Sequence, residues 1–125
     1  MKYHHAHIYF NEDEVPQAIT LHALLLKQRQ WNLQVSRLIH KPIGPHPIPM
    51  FEVDFSSEHF NAVVAFLDQN RNGLSILVHP VSEEEVLDHT VRATWLGKKL
   101  ELNIDFLKDF MAGKTEGVNH TIKRG

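Results

Sequence analysis

The chain has 125 residues, 42% of them hydrophobic and 22% charged, with 13 basic against 15 acidic side chains and no cysteine. A soluble domain of this size closes a core without staples, and the absence of cysteine excludes disulfides, thiolate zinc sites and thiol nucleophiles. A formal charge of −2 leaves no footprint for a phosphate backbone or an anionic membrane, so neither nucleic acid nor membrane is an expected partner.

Ala6, Ile8 and Phe10 alternate with His5, His7 and Tyr9, a period of two that predicts a half-buried first strand. Asn11 or Asp13 then caps a helix whose acidic first turn suits the positive end of the dipole, and Pro16 falls where no backbone donor is needed. Val15, Ile19, His22, Leu25 and Leu26 follow at spacings of three and four, an apolar stripe expected to run to about Gln30. A second strand is expected from Leu33 to Ile39. Lys41 to Pro49 holds four prolines in nine residues and can be neither helix nor central strand, so it must be a stiff connection.

Phe51, Val53 and Phe55 alternate with Met50, Glu52 and Asp54 as a third strand. Ser56 or Ser57 caps a second helix with the stripe Phe60, Val63, Val64 and Leu67, and Asn72-Gly73 ends it. Ser75 to His79 is a fourth strand stopped by Pro80. This order predicts an α+β, ferredoxin-like βαββαβ fold. Its antiparallel sheet has the first and third strands central, flanked by the fourth and second, with both helices on one face and the other face open.

Beyond that unit, Ser82 with Glu85 has the capping-box form and predicts a short helix over 83–89. Residues 91–96 and 100–104 read as a hairpin turning at Gly97-Lys98-Lys99, with helix an alternative for the first arm. The expected organisation is one domain over 1–111, including this C-terminal extension, and a polar, mobile tail over 112–125. No secretory pattern or membrane-length apolar run is present in the sequence, and a cysteine-free chain suits the cytoplasm.

Ten histidines are the unusual feature of the composition. If Ala6, Ile8 and Phe10 face the helices, then His5, His7 and Tyr9 point to the open face, and the same alternation sends Glu52, Leu77 and His79 there. His7, Glu52 and His79 then stand on three adjacent strands about 4.8 Å apart. Two imidazoles and a carboxylate are the ligands of a non-heme iron facial triad, which leaves positions open. His46, in the proline-rich loop, is an alternative ligand or a supporting group. His89 reads as a helix C-terminal cation or a pocket residue, and His22 as a satisfied core histidine. His4, His40, His59 and His120 read as surface, loop or tail residues without a partner. The uncovered face would also expose Leu77 and Met50, for which a second copy of the chain is the expected cover, giving a homodimer.

Tyr3-His4-His5-Ala6-His7-Ile8-Tyr9-Phe10, Gly44-Pro45-His46-Pro47-Ile48-Pro49-Met50-Phe51-Glu52-Val53, Leu77-Val78-His79-Pro80, Asp88-His89-Thr90 and Trp95-Leu96-Gly97 together resemble the DOPA 4,5-dioxygenase family over about residues 3–110. The resemblance implies an extradiol ring-cleaving dioxygenase of ferredoxin-like fold acting on a catechol, with a metal at clustered histidines, O2 as co-substrate and frequent dimerisation. The matching histidines are His5, His7, His46, His79 and His89. Ferrous iron is the implied metal, with zinc able to stand in for it in purified protein.

Extradiol chemistry asks for a metal with open positions, so His7 and His79 with either Glu52 or His46 are the expected ligands. It also asks for groups that titrate near neutrality, a role assigned to His5 and His89. Tyr9, Phe51 and Trp95 are candidates for the apolar wall. Two further readings remain. A non-catalytic metal or small-molecule binding module would use the same histidines without consuming O2. An RNA-binding domain of the same strand order would need aromatic and basic groups where this chain places His5, His7, Glu52 and His79.

Overall fold

The structure is a computed structural model and describes residues 2–113. Its elements are β1 (Tyr3–Tyr9), α1 (Val15–Leu26), β2 (Gln34–Val35), β3 (Met50–Ser56), α2 (Phe60–Asn70), β4 (Ser75–Pro80), α3 (Glu85–His89), β5 (Thr94–Leu96) and α4 (Ile104–Met111). They build one antiparallel sheet in the order β2-β3-β1-β4-β5, with β1 and β3 flanked by β4 and β2 as expected for the ferredoxin-like arrangement. No described helix is long and apolar enough to cross a membrane.

The period of two in β1, β3 and β4 sends Ala6, Ile8, Phe51, Val53, Phe55, Ile76 and Val78 to one face, where they form the main core with α1 and α2. Phe51 therefore belongs to this core and not to a pocket wall. From α1 the buried residues are Ala18, Leu21 and Leu25, while Ile19 and Leu26 are exposed, so the helix is rotated from the predicted stripe. It also stops at Leu26, and the chain turns away through Asn32 at φ 51°.

The predicted second strand is real only at Gln34–Val35. Ser36 interrupts it: its backbone N–H donates to the Glu52 carbonyl at 2.8 Å, while its hydroxyl accepts from the Glu52 N–H at 2.8 Å. A side chain thus replaces a rung of the ladder, and pairing resumes at Ile39 opposite Met50. Pro80 does not stop β4 but stands in it, opposite His4.

The second face of the sheet is not open. Tyr9, Ile39, Met50 and Leu77 make a smaller core there, covered by Ile43 and Ile48 from the proline-rich loop and by Ala93, Trp95, Leu100 and Leu102 from the C-terminal extension. Leu77 and Met50, the groups expected to call for a second copy, are covered by their own chain. The extension forms no hairpin. Its first arm is β5, paired to β4 with Trp95 opposite Leu77, but the second arm crosses the sheet face without pairing and enters α4. That helix was missed. Its signals are in the sequence: Asn103 accepts from the Phe106 N–H as a cap, and Leu107 is buried on the inner side. Of the tail expected over 112–125, residues 114–125 lie outside the described residues, as does His120.

Candidate metal centre

Strand alternation and register carry most of the site. In β1, His5 stands opposite Asp54 on one side and His79 on the other, while His7 stands opposite Glu52 and Leu77. His46 arrives from the proline-rich loop, where a bridge between Ile43 and His46 closes the turn, and His89 ends α3. The rings of these five histidines gather over the centre of the sheet. Centroids are 4.2 Å apart for His7 and His46, 5.0 Å for His7 and His79, 4.0 Å for His79 and His89, and 5.4 Å for His5 and His79. All but the half-buried His5 are at most 7% exposed.

Hydrogen bonds decide which nitrogen each ring presents. His79 Nδ1 lies 2.7 Å from the Pro80 carbonyl and His89 Nδ1 lies 2.7 Å from the Glu85 carbonyl. A carbonyl can only accept, so each Nδ1 carries the proton and each Nε2 keeps its lone pair. His79 Nε2 lies 3.0 Å from His7 Nε2, which leaves His7 to supply the proton between them. His7 Nδ1 is then a buried nitrogen without a hydrogen-bond partner, 3.9 Å from the Glu52 carboxylate. A divalent cation accepting both Nε2 lone pairs would move the His7 proton to Nδ1, and the Glu52 carboxylate, at 3.9 Å, would have to draw closer by about 1 Å to accept a hydrogen bond from it, the usual carboxylate–histidine–metal support. The residues present therefore fit a metal. His5 completes the set, because one ligand atom each from His5, His7 and His79 lies within 4.8 Å of the others.

Burial lowers the pKa values of His7, His46, His79 and His89, and crowding lowers the first three further. His7 and His79 are held well below the ordinary imidazole range, first by burial and then by their neighbours His46 and His89 respectively. His46 is lowered to about 3, by burial and then by His89 and His5. His89 is also lowered by burial, against the opposing pull of the Glu85 carbonyl. Neutral imidazoles are what a metal needs, since a protonated ring has no lone pair to give.

Glu52 is not delivered to the expected triad with His7 and His79. The reason is β1's central position: His7 sits between two neighbouring strands and turns Nε2 toward β4 and Nδ1 toward β3, so Glu52 on β3 meets the wrong edge of the ring. Glu52 instead groups with His5 and Asp54, with His5 Nδ1 at 3.6 Å from Glu52 and His5 Nε2 at 3.4 Å from Asp54. Of the other histidines, His22 bonds the Ser36 carbonyl at 2.8 Å against Phe51, as a core histidine does. His4 has the partners the sequence did not reveal: Ser57 Oγ at 2.7 Å and the rings of Phe55 and Phe60. His40 packs edge-on against Phe10, and His59 pairs with its neighbour Glu58.

Two residues support the site in ways the sequence does not show, Tyr9 by its hydroxyl and not only as an apolar wall, and Asp88 as a buried anchor. Tyr9 is buried with its hydroxyl 2.7 Å from His46 Nδ1 and its ring stacked on Trp95. Asp88, 1% exposed, accepts from the Ser82 N–H at 2.8 Å, the Ser82 hydroxyl at 2.7 Å and Arg92 at 3.2 Å, tying down the loop that delivers His89. The predicted capping box is thus used differently, with Ser82 serving Asp88 and α3 starting only at Glu85. Asp88→Ala is expected to destabilise the fold by about 2–3 kcal/mol, the usual worth of hydrogen bonds to a buried charge. Urea unfolding checks this, and a loss under ~0.5 kcal/mol would contradict it.

Beside the cluster, a cleft of about 690 Å³ opens between α3 and the start of α4. His89 lines it, with Trp95, Leu100 and Leu102 as apolar lining and Lys99, Glu101 and Asp105 as charged lining.

A family model described as the Dopa 4,5-dioxygenase family matches residues 4–106. A DOPA 4,5-dioxygenase of Amanita muscaria is 38% identical over 107 residues, covering 80% of this chain and 47% of the relative. An uncharacterised 21.2 kDa protein of Botryotinia fuckeliana is 45% identical over 84 residues, covering 61% of this chain and 46% of the relative. The chain spans about half the length of these curated relatives. A crystal structure of a Nostoc punctiforme protein put forward as a dioxygenase superposes with a TM-score of 0.83 at 41% identity, covering 88% of this chain and 94% of that one.

Proposed function

The chain belongs to the Dopa 4,5-dioxygenase family, and from that premise we propose that it is a metal-dependent extradiol dioxygenase that opens the ring of a catechol with O2. The observation that carries the reading is the pair of Nε2 atoms of His7 and His79 at 3.0 Å, with His5 beside them, in a cluster whose fifth histidine, His89, lines a cleft. His7, His79 and His5 would hold ferrous iron, which when bound supplies O2 activation and a point of chelation for the two catechol oxygens. His5, first assigned to acid–base work, is here the third ligand in place of Glu52.

The chain's own groups do the rest. His89 lines the cleft, keeps an Nε2 lone pair because its Nδ1 is held by the Glu85 carbonyl, and has its pKa lowered by burial, so it can take the proton that a catechol hydroxyl loses on binding. Trp95, Leu100 and Leu102 pack against the ring carbons and keep water off the reacting face. Asp88 acts only through the loop it holds.

The test is anaerobic reconstitution of the full chain with ferrous iron, followed by O2-electrode assays over a panel of catechols and mass spectrometry of the products. The expected result is about one iron per chain and catechol-dependent O2 uptake, with both oxygen atoms recovered in a ring-opened product. Stoichiometric metal without O2 uptake on any catechol would leave a metal-binding module instead.

A further inference from the structure

His46 differs from the other buried histidines of the cluster in what holds its Nδ1. His79 and His89 each meet a carbonyl there, but His46 meets a hydroxyl, that of Tyr9 at 2.7 Å. A hydroxyl can donate or accept, so the direction must be settled by what else each group can do. Tyr9 is 1% exposed, and among the described residues its hydroxyl has no other hydrogen-bond partner. A buried O–H that accepts from His46 would leave its own proton unsatisfied, at the cost of an unmade hydrogen bond. Donation to His46 Nδ1 satisfies both groups. That direction forces the ring proton of a neutral His46 onto Nε2.

Among the described residues His46 Nε2 has no hydrogen-bond partner, and the residue keeps a trace of exposure at 7%. Its Nε2 proton is therefore left for a group that the described chain does not supply. Its ring lies 4.2 Å from His7 and 6.4 Å from His89, beside the proposed ligands and within reach of the same small molecule as the proposed base.

We propose that Tyr9 is a positioning residue that locks His46 with its proton on Nε2, so that His46 serves the site as a hydrogen-bond donor to a substrate oxygen and not as a metal ligand. The cluster then divides by tautomer. Rings anchored on backbone carbonyls offer lone pairs, and the ring anchored on a phenol offers a proton. The role toward substrate rests on the dioxygenase reading, whereas the tautomer does not.

The experiment is nitrogen-15 NMR of the histidine side chains in the full chain, metal-free and loaded with diamagnetic zinc, for wild type and Tyr9→Phe. His46 in the wild type is expected to show protonated Nε2 and unprotonated Nδ1 in both forms, and Tyr9→Phe is expected to shift it toward the opposite tautomer with zinc stoichiometry unchanged. In the iron-loaded enzyme, Tyr9→Phe should lower kcat at least tenfold, and His46→Gln, which keeps an N–H near the same position, should retain more activity than His46→Leu. A wild-type His46 protonated on Nδ1, or one that loses its Nε2 proton when zinc binds, overturns the proposal without the need for any variant to fold. If the tautomer is as stated but no catechol is consumed, the proposal stands as to Tyr9 and fails as to substrate.

Discussion

Alanine at His79 is expected to weaken metal binding by more than ~100-fold and to remove catechol-dependent O2 uptake with it, since even a residue that only supports a ligand is worth about 10–100-fold. Two bonds make this side chain hard to replace. The Pro80 carbonyl fixes the tautomer and aim of the ring, and the resulting Nε2 lone pair lies 3.0 Å from His7 Nε2. Because His79 is 3% exposed, the variant will also lose packing, so metal content should be measured under conditions where circular dichroism shows it folded. Glu52→Gln is the paired measurement. Glu52 faces the Nδ1 edge of His7 at 3.9 Å, so the variant should weaken metal binding by only about 10–100-fold. Equal losses at His79 and Glu52 would restore Glu52 to the ligand set and contradict the geometry argued above.

Mild acid should destabilise the metal-free protein steeply. His7, His46 and His79 are held below the ordinary histidine value in the folded chain, chiefly by burial. Above the unfolded value of about 6.5 the three rings are neutral in both states, and the full stability is present. As pH falls below that value, the unfolded chain binds protons that the folded chain refuses. Stability is lost at up to about 1.4 kcal/mol per pH unit for each ring, until the folded values are reached. For three rings the loss between about pH 7.5 and about pH 5.5 comes to roughly 4 kcal/mol. Urea titrations at the two pH values measure it directly. A difference below ~1 kcal/mol would mean that the folded cluster takes up protons with little penalty, and the picture of neutral, crowded imidazoles would fail.

The fold was legible wherever one face of an element is buried and the other is not. Alternation in β1, β3 and β4 is a direct imprint of the pleat, and it placed His7 and His79 on one face before any coordinates. What it could not give is side-chain aim. Glu52 is on the predicted face and opposite the predicted partner, yet the choice between the two edges of the His7 ring depends on rotamers that no spacing encodes. The covered second face was hidden for another reason. Trp95, Leu100 and Leu102 alternate as a hairpin arm would, and only contacts far apart in sequence show that they lie across the sheet as a lid. Tyr9 was read as a wall, because a hydroxyl's partner is a tertiary fact.

The imidazoles come from four separate places, whereas the cleft is lined by a single run of chain from His89 to Asp105. Apart from His89, which belongs to both, the two halves of the site are therefore encoded independently. A cassette of sixteen codons, from Thr90 to Asp105, could be exchanged or randomised to retune substrate preference without rewriting a strand that carries a proposed ligand, provided that Trp95, Leu100 and Leu102 still seal the sheet. For directed evolution this makes the segment a natural library window that spares the proposed ligands His5, His7 and His79.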